Sequence, residues 1–319
     1  MFDWILSSLL LVCGFLLLAG SLQGLLLSLT PARTPWHSLC WSVYNTLLVL
    51  SVPAAALAIL PDYEAGPVSS RIVAGGIFTL TSLGLGVLGL YFILGRRWPS
   101  RTPVWDTRQG FMPSGPAVLG SLALVILLSV FQFQPLPWLG AVCLFWVFFF
   151  LLRRQQVSTP PFQTGLQLNR SYQPAALLGL WLALILIGYG SCRLVELMPR
   201  PGFEASSRAW HTLLVMPLPA FLVILLSLLR YMKNGQDHLA GAYLVSSLIP
   251  QFTILPALII TWSGWSLDWP GLAALTIAAL LLLALENRAR GPLGITPLLL
   301  LLLAAAYPLY LAVWRLLWW

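Results

Sequence analysis

Two short segments of this sequence set proline among hydroxyl and amide groups inside otherwise apolar runs. Thr46-Leu47-Leu48-Val49-Leu50-Ser51-Val52-Pro53-Ala54 and Thr212-Leu213-Leu214-Val215-Met216-Pro217-Leu218-Pro219-Ala220 superpose at an offset of 166 residues, and six of the nine positions are identical. Without a gap, the same offset lays Ala74-Gly75-Gly76 on Ala240-Gly241-Ala242 and Thr79-Leu80-Thr81 on Val245-Ser246-Ser247. Matched leucines carry little weight in such a chain; the aligned Pro-Ala and Ala-Gly pairs carry more. A proline inside a helix removes an amide donor and clashes with the preceding turn, so Pro53 and Pro219 predict a break in each copy. The residues gathered at that depth are Asn45, Ser51, Pro53, Ala54, Thr79 and Thr81 from the first copy, and Pro217, Pro219, Ala220, Ser246, Ser247 and Gln251 from the second. They offer hydroxyls, amides and backbone carbonyls to a bound solute. The serines and threonines can equally bond back to their own helix carbonyls.

The elements that must hold these residues are membrane helices. Of the 319 residues 59% are hydrophobic and only 8% charged, with a mean hydropathy of +0.88, whereas soluble domains carry about a quarter charged residues. Windows of about 20 apolar residues predict ten spans: 4–29, 37–60, 72–95, 117–133, 136–152, 175–198, 210–232, 238–265, 270–285 and 293–318. Gln132-Phe133-Gln134-Pro135-Leu136-Pro137 reads as a tight turn between the short fourth and fifth spans. The N-terminus, with Asp3 and no basic n-region, is expected to stay as the first helix rather than leave as a signal peptide. Ten spans leave only loops, so no soluble catalytic domain fits.

The net charge of +8 reads as loop charge beside an anionic leaflet, not as a nucleic-acid surface. With ten spans, Arg33, Arg96, Arg97, Arg101, Arg108, Arg153, Arg154, Arg170, Arg230, Lys233, Arg288 and Arg290 share one side, against Arg71, Arg193, Arg200, Arg208 and Arg315. The positive-inside rule puts the larger group in the cytoplasm and both termini outside; we place the chain in a prokaryotic cytoplasmic membrane. An offset of five spans is odd, so the second copy enters the bilayer from the opposite side. The expected organisation is an all-α polytopic membrane protein of two inverted five-helix repeats, 1–155 and 175–319, joined by a cytoplasmic linker at 156–174. In inverted-repeat carriers, solute sites lie near the midplane at the repeat interface.

Five-plus-five inverted halves, each with a proline-bearing second helix and a Gly/Ser-containing third, resemble the calcium/cation antiporter superfamily of sodium/calcium exchangers. Asp237-His238-Leu239-Ala240-Gly241, the polar turn Tyr231–Gln236, and Gly294-Ile295-Thr296-Pro297 running into Ala306-Tyr307-Pro308 are similar to that family's segments. The resemblance implies a glutamate directly after each helix-breaking proline, and this chain has Ala54 and Ala220 there; the later Asn ligands fall on Gly84 and Pro250. Calcium wants six or more oxygens, several of them carboxylate, and Asp3, Asp62, Glu64, Asp106, Glu196, Glu204, Asp237, Asp268 and Glu286 all map to span ends or loops. Calcium binding is therefore not expected, nor is any other metal or cofactor. The expected function is a non-transporting structural or accessory subunit of a membrane complex, with the bilayer and other membrane subunits as partners. The alternative is a secondary transporter of a monovalent cation or a small neutral or anionic solute, an anion being served by broken-helix N-termini.

Other polar residues read as interfacial. His37, His211 and His238 sit at span starts, Arg71 is expected to snorkel, and Arg193 stands at helical spacing from Glu196. The four cysteines, Cys13, Cys40, Cys143 and Cys192, have no metal or disulfide spacing and read as membrane-embedded thiols. No phosphate loop or nucleophile motif is present, so an enzyme is not expected.

Overall fold

In a hydrocarbon layer backbone groups must be satisfied within the protein, as a helix does within its own segment, and every regular element among the described residues of the computed structural model is a helix. The structure describes residues 2–29, 35–95, 115–131, 136–154, 173–198, 205–235, 237–290 and 294–318. The turn at 132–135, the linker at 156–172 and most of the basic loop residues fall outside these. The helices are α1 (Phe2–Leu29), α2 (Pro35–Ile59), α3 (Asp62–Thr79), α4 (Leu85–Leu90), α5 (Gly115–Val130), α6 (Leu136–Arg154), α7 (Gln173–Glu196), α8 (Ala205–Trp210), α9 (Leu218–Lys233), α10 (Asp237–Phe252), α11 (Ile254–Trp262), α12 (Trp269–Arg290), α13 (Pro297–Ala304) and α14 (Ala306–Trp318). Wider π-helical turns at Leu80–Gly84, Tyr91–Gly95 and His211–Val215 join α3 to α4, extend α4, and link α8 towards α9.

Seven described helical stretches are long and apolar enough to cross a membrane, and three shorter ones, Val43–Ile59, Pro116–Val130 and Pro137–Leu151, are also apolar. The stretch Asp62–Gly95 begins ten residues before the predicted third span. Asp62 and Glu64 occupy its first turn, where carboxylates complement the positive end of the helix dipole, and hydropathy windows discount such a charged first turn.

At the centre α2, α3, α9 and α10 pack on one another, with the His211–Val215 turn against α3. Around them α12 lies on α3 and α5, α11 on α6, and α13 on α4, while α1 and α7 form a closely packed pair. Small residues let that pair approach: a methyl group on Gly14 would stand 2.9 Å from Ile187, and one on Gly190 would stand 3.1 Å from Leu11 and from the Ser7 carbonyl. The outward faces carry Trp138, Trp146, Trp181, Trp262 and Trp269, all exposed in the isolated chain, as expected of rings facing lipid and its interface.

Candidate functional site

Where α2, α3, the α9 entry and α10 meet, a cavity of about 20 Å³ remains, room for one water-sized group. Val49, Val52 and Pro53 of α2, Ile72, Val73 and Gly76 of α3, Met216, Pro217, Ala220 and Phe221 around the start of α9, and Gln251 of α10 are among its lining residues. Gln251 is the one carboxamide in that lining, and the side chain is buried. Its Nε2 donates to the Ser247 carbonyl, 3.2 Å away one turn back on α10, which leaves Oε1 as the acceptor on the other arm. That oxygen lies only 2.6 Å from where a Cβ on residue 76 would stand, so Gly76 is the residue that gives the amide its place.

The prolines act differently from the sequence expectation. Helix α2 runs through Pro53 without a break. The Ser69 hydroxyl of α3 donates to the Pro53 carbonyl at 3.1 Å, which ties α2 to α3 at the proline. Pro53 still deprives the Val49 carbonyl, one turn earlier, of its amide partner. In the second copy the distortion falls at Met216-Pro217 rather than at Pro219. The Met216 amide reaches back five residues to the His211 carbonyl, 2.9 Å, and Pro217 keeps near-helical angles of φ −73° and ψ −17°. Pro219 then lies in the first turn of α9, where a missing N–H costs nothing. The chain passes from the wider turn at His211–Val215 through Met216-Pro217 into α9, and Pro217, Ala220 and Phe221 at that helix start line the cavity. The sharpest break lies elsewhere, at Thr253 between α10 and α11, with φ −125° and ψ −84° and with Pro250 and Pro256 on either side.

Of the candidates named from sequence, Pro53, Pro217, Ala220 and Gln251 line the cavity. Asn45, Ser51, Ala54, Thr79, Thr81, Pro219, Ser246 and Ser247 stand outside its lining. Their hydroxyls turn to their own helices: Thr81 donates to the Ile77 carbonyl at 2.8 Å, Ser246 and Ser247 to that of Tyr243 at 2.8 and 2.9 Å, and Ser51 to that of Leu48 at 3.3 Å. Asn45 accepts at Oδ1 from the Tyr243 hydroxyl, 3.2 Å across from α10, and Thr79 is buried. The candidates drawn from sequence did not include Ile72, Val73, Gly76 or Met216, which the cavity lining adds. Only the Gly75-Gly76 pair, in a helix otherwise free to carry side chains, signalled that something must approach there.

Charged groups cluster at the other end of α3. Arg208 of α8 pairs with Glu64 across 144 residues of sequence, both largely buried, and Arg71 Nε meets the Asp268 carboxylate at 3.0 Å. Arg71 therefore has a fixed partner rather than only snorkelling. The loop before α12 completes the clamp: a methyl group on Gly66 would stand 2.5 Å from the Gly264 carbonyl oxygen, and the Ser266 amide donates to the Ser70 hydroxyl at 3.4 Å. Arg193 and Glu196 pair at 2.8 Å but are half exposed. Glu286, expected only to mark a helix end, is buried on α12, a helix that contributes nothing to the cavity lining. Among the described residues no three His, Cys, Asp or Glu side chains come together.

No family model and no curated protein matches this sequence. Solved structures do match in fold. An H+/Ca2+ exchanger, CAX, superposes with a TM-score of 0.67 at 13% identity, covering 98% of this chain and 81% of its own. The Ca2+/H+ antiporter YfkE gives 0.62 at 17%, covering 98% and 99%. The sodium-calcium exchanger NCX_Mj gives 0.53 at 17%, covering 97% of each chain. The chain thus has the cation-exchanger fold over almost its whole length.

Proposed function

We propose that this protein is a secondary carrier of exchanger architecture that moves a small monovalent cation or a small neutral hydrogen-bond donor, and not calcium. The observation that carries the reading is the small cavity at the crossing of α2, α3, α9 and α10, with the Gln251 side chain on its wall and its carboxamide oxygen against Gly76. Its polar wall offers an acceptor, which suits a donor or a single positive charge. No acid lines it, and a divalent ion taken from water into such a site lacks the countercharge that offsets desolvation.

The ten-helix arrangement with inverted halves, 1–155 and 175–319, belongs to this proposal. A charge pattern supports it: at the offset of 166 residues, Glu64 and Arg71 superpose on Arg230 and Asp237. Glu64 and Arg71 lie within α3, Arg230 lies in the last turn of α9 and Asp237 begins α10, with the signs exchanged between the two pairs. Alternating access then amounts to rocking of one half against the other about the cavity. The accessory role inferred from the missing glutamates stands behind this reading, because a passive subunit has no use for a polar group on the wall of a cavity between its central helices, and the similar structures are those of exchangers and an antiporter.

The deciding experiment is uptake into proteoliposomes of labelled sodium, potassium, ammonium analogues and calcium, and of protons by an entrapped dye, for the native chain and for Ala220→Trp. A monovalent or neutral flux that Ala220→Trp abolishes supports the carrier. Absence of flux for every solute, or a calcium flux, overturns it.

A further inference from the structure

Helix α12 packs on α3 and α5, and α14 on α13 and the Leu80–Gly84 turn. Between α12 and α14 a groove of about 360 Å³ remains, far larger than the central cavity and sharing none of its lining. One wall is Trp269, Ala273 and Ile277, four residues apart on one face of α12. The other is Ala306, Leu309 and Val313 of α14. The two alanines leave a width that longer side chains would fill. Tyr310 and Trp314, both buried with ring centroids 5.5 Å apart, complete the lining, and the Tyr310 hydroxyl donates to the Pro270 carbonyl at 2.9 Å. Trp269, Leu309 and Val313 are exposed in the isolated chain, so the groove belongs to the outward face.

No side chain of the lining carries a charge, but one end of the groove is polar. Asp268 directly precedes Trp269, and Arg71 Cγ lies 3.7 Å from where a methyl group on Gly271 would stand. The Arg71–Asp268 ion pair is therefore beside the start of α12, and both side chains keep part of their surface open. Such a charged pair next to an exposed tryptophan marks the depth of the membrane interface. From there the α12 wall runs about 12 Å inward to Ile277. Water does not occupy an apolar space of this kind, and a void forfeits the dispersion contacts of its lining. Hydrocarbon restores them, and a chain lodged between two walls meets protein on more sides than one lying on a flat helix face. An apolar cavity of about 150 Å³ takes one benzene, or about 25 Å³ per carbon, so this groove holds roughly a dozen carbons of an alkyl chain.

We propose that the α12–α14 groove is a lipid site, in which one acyl chain of a bilayer phospholipid lies along the walls and its phosphate-bearing headgroup meets Arg71. A charged group at one end and hydrocarbon over the rest matches a phospholipid's own division between head and tail. The site does not depend on what the central cavity carries.

In the test, the full chain is stripped of lipid by prolonged detergent washing and titrated with palmitoyl-oleoyl phosphatidylethanolamine, and native mass spectrometry counts the lipids bound. One tight lipid per chain is expected. Ala273→Trp and Ala306→Trp, which fill the groove from opposite walls, are expected to bind it at least about tenfold more weakly, equivalent to about 1.4 kcal/mol. The native chain, in vesicles of the same lipid bearing a photoreactive diazirine midway along the oleoyl chain, should crosslink more strongly at peptides containing Ala273 and Leu309 than at the exposed faces around Trp146 and Trp181. Absence of a tight lipid, undiminished binding by the filled variants, or crosslinks spread evenly over these faces overturns the proposal. So does a dimer whose protein–protein crosslinks join α14 to α14, because a second copy then covers the groove.

Discussion

The Leu213 carbonyl oxygen rests against the Cα of Gly75, so closely that a methyl group at residue 75 would overlap it. Pro217, four residues on, has no amide to offer that oxygen, and the carbonyl is turned outward onto the neighbouring helix as a weak Cα–H acceptor contact. One proline and one glycine, far apart in the chain, thereby set the distance between α3 and the entry to α9, and with it the size of the cavity one residue further along α3.

Gly75→Ala should force α3 from the His211–Val215 turn. A loss of about 1–3 kcal/mol or more is expected for overpacking against rigid backbone, read as a lowered melting midpoint in detergent. Gly120→Ala and Gly188→Ala, where an added methyl meets nothing within 4 Å, should instead raise the midpoint, since alanine gains about 0.5–1 kcal/mol in a helix. Equal effects at all three sites would refute the packing account.

Gly76→Ala meets only the end of a flexible side chain, 2.6 Å away, so the fold should yield more easily than at Gly75. The displaced Gln251 would no longer present its oxygen to the cavity. Losing one buried acceptor interaction is worth about 1–3 kcal/mol, and solute uptake should fall by about tenfold or more while the melting midpoint moves less than for Gly75→Ala. Uptake unchanged in the variant would remove Gln251 from the site.

Arg208→Gln leaves Glu64 buried without its partner, at a cost of about 3 kcal/mol. Glu64→Gln should cost less, and the double variant less than the two single effects added, with a coupling of about 1–3 kcal/mol. The exposed pair of Arg193 and Glu196 serves as the control, because side chains 53% and 48% open to solvent are screened by water and should show far weaker coupling. A thermal-melt double-mutant cycle measures both.

Millimolar calcium should leave the melting midpoint where it is, because a ligand stabilises only the state that binds it and the cavity lining contains no carboxylate. A calcium-dependent rise, removed by chelator, would contradict the argument from the missing acids.

Much of the fold was legible in the chain itself. Continuous apolar runs of about 20 residues fit a membrane helix, which satisfies its backbone hydrogen bonds within one segment, and not the short alternating strands of a barrel, and the absence of a glutamate beside Pro53 and Pro219 limits the chemistry however the helices pack. What the sequence could not decide was how neighbours answer each local defect. Pro53 predicts a break, yet α2 runs through it whole, with the Ser69 hydroxyl of α3 bonded to the Pro53 carbonyl. Ser246 and Ser247 could face a pocket or their own helix, and the packing around α10 turned them to the Tyr243 carbonyl. Glu64 and Arg208 looked like two separate interfacial charges until the fold joined them. Helix formation is settled by residues a few positions apart, whereas the partners of a freed carbonyl, a glycine face or a buried charge come from distant segments, and only the tertiary structure brings those within bonding distance.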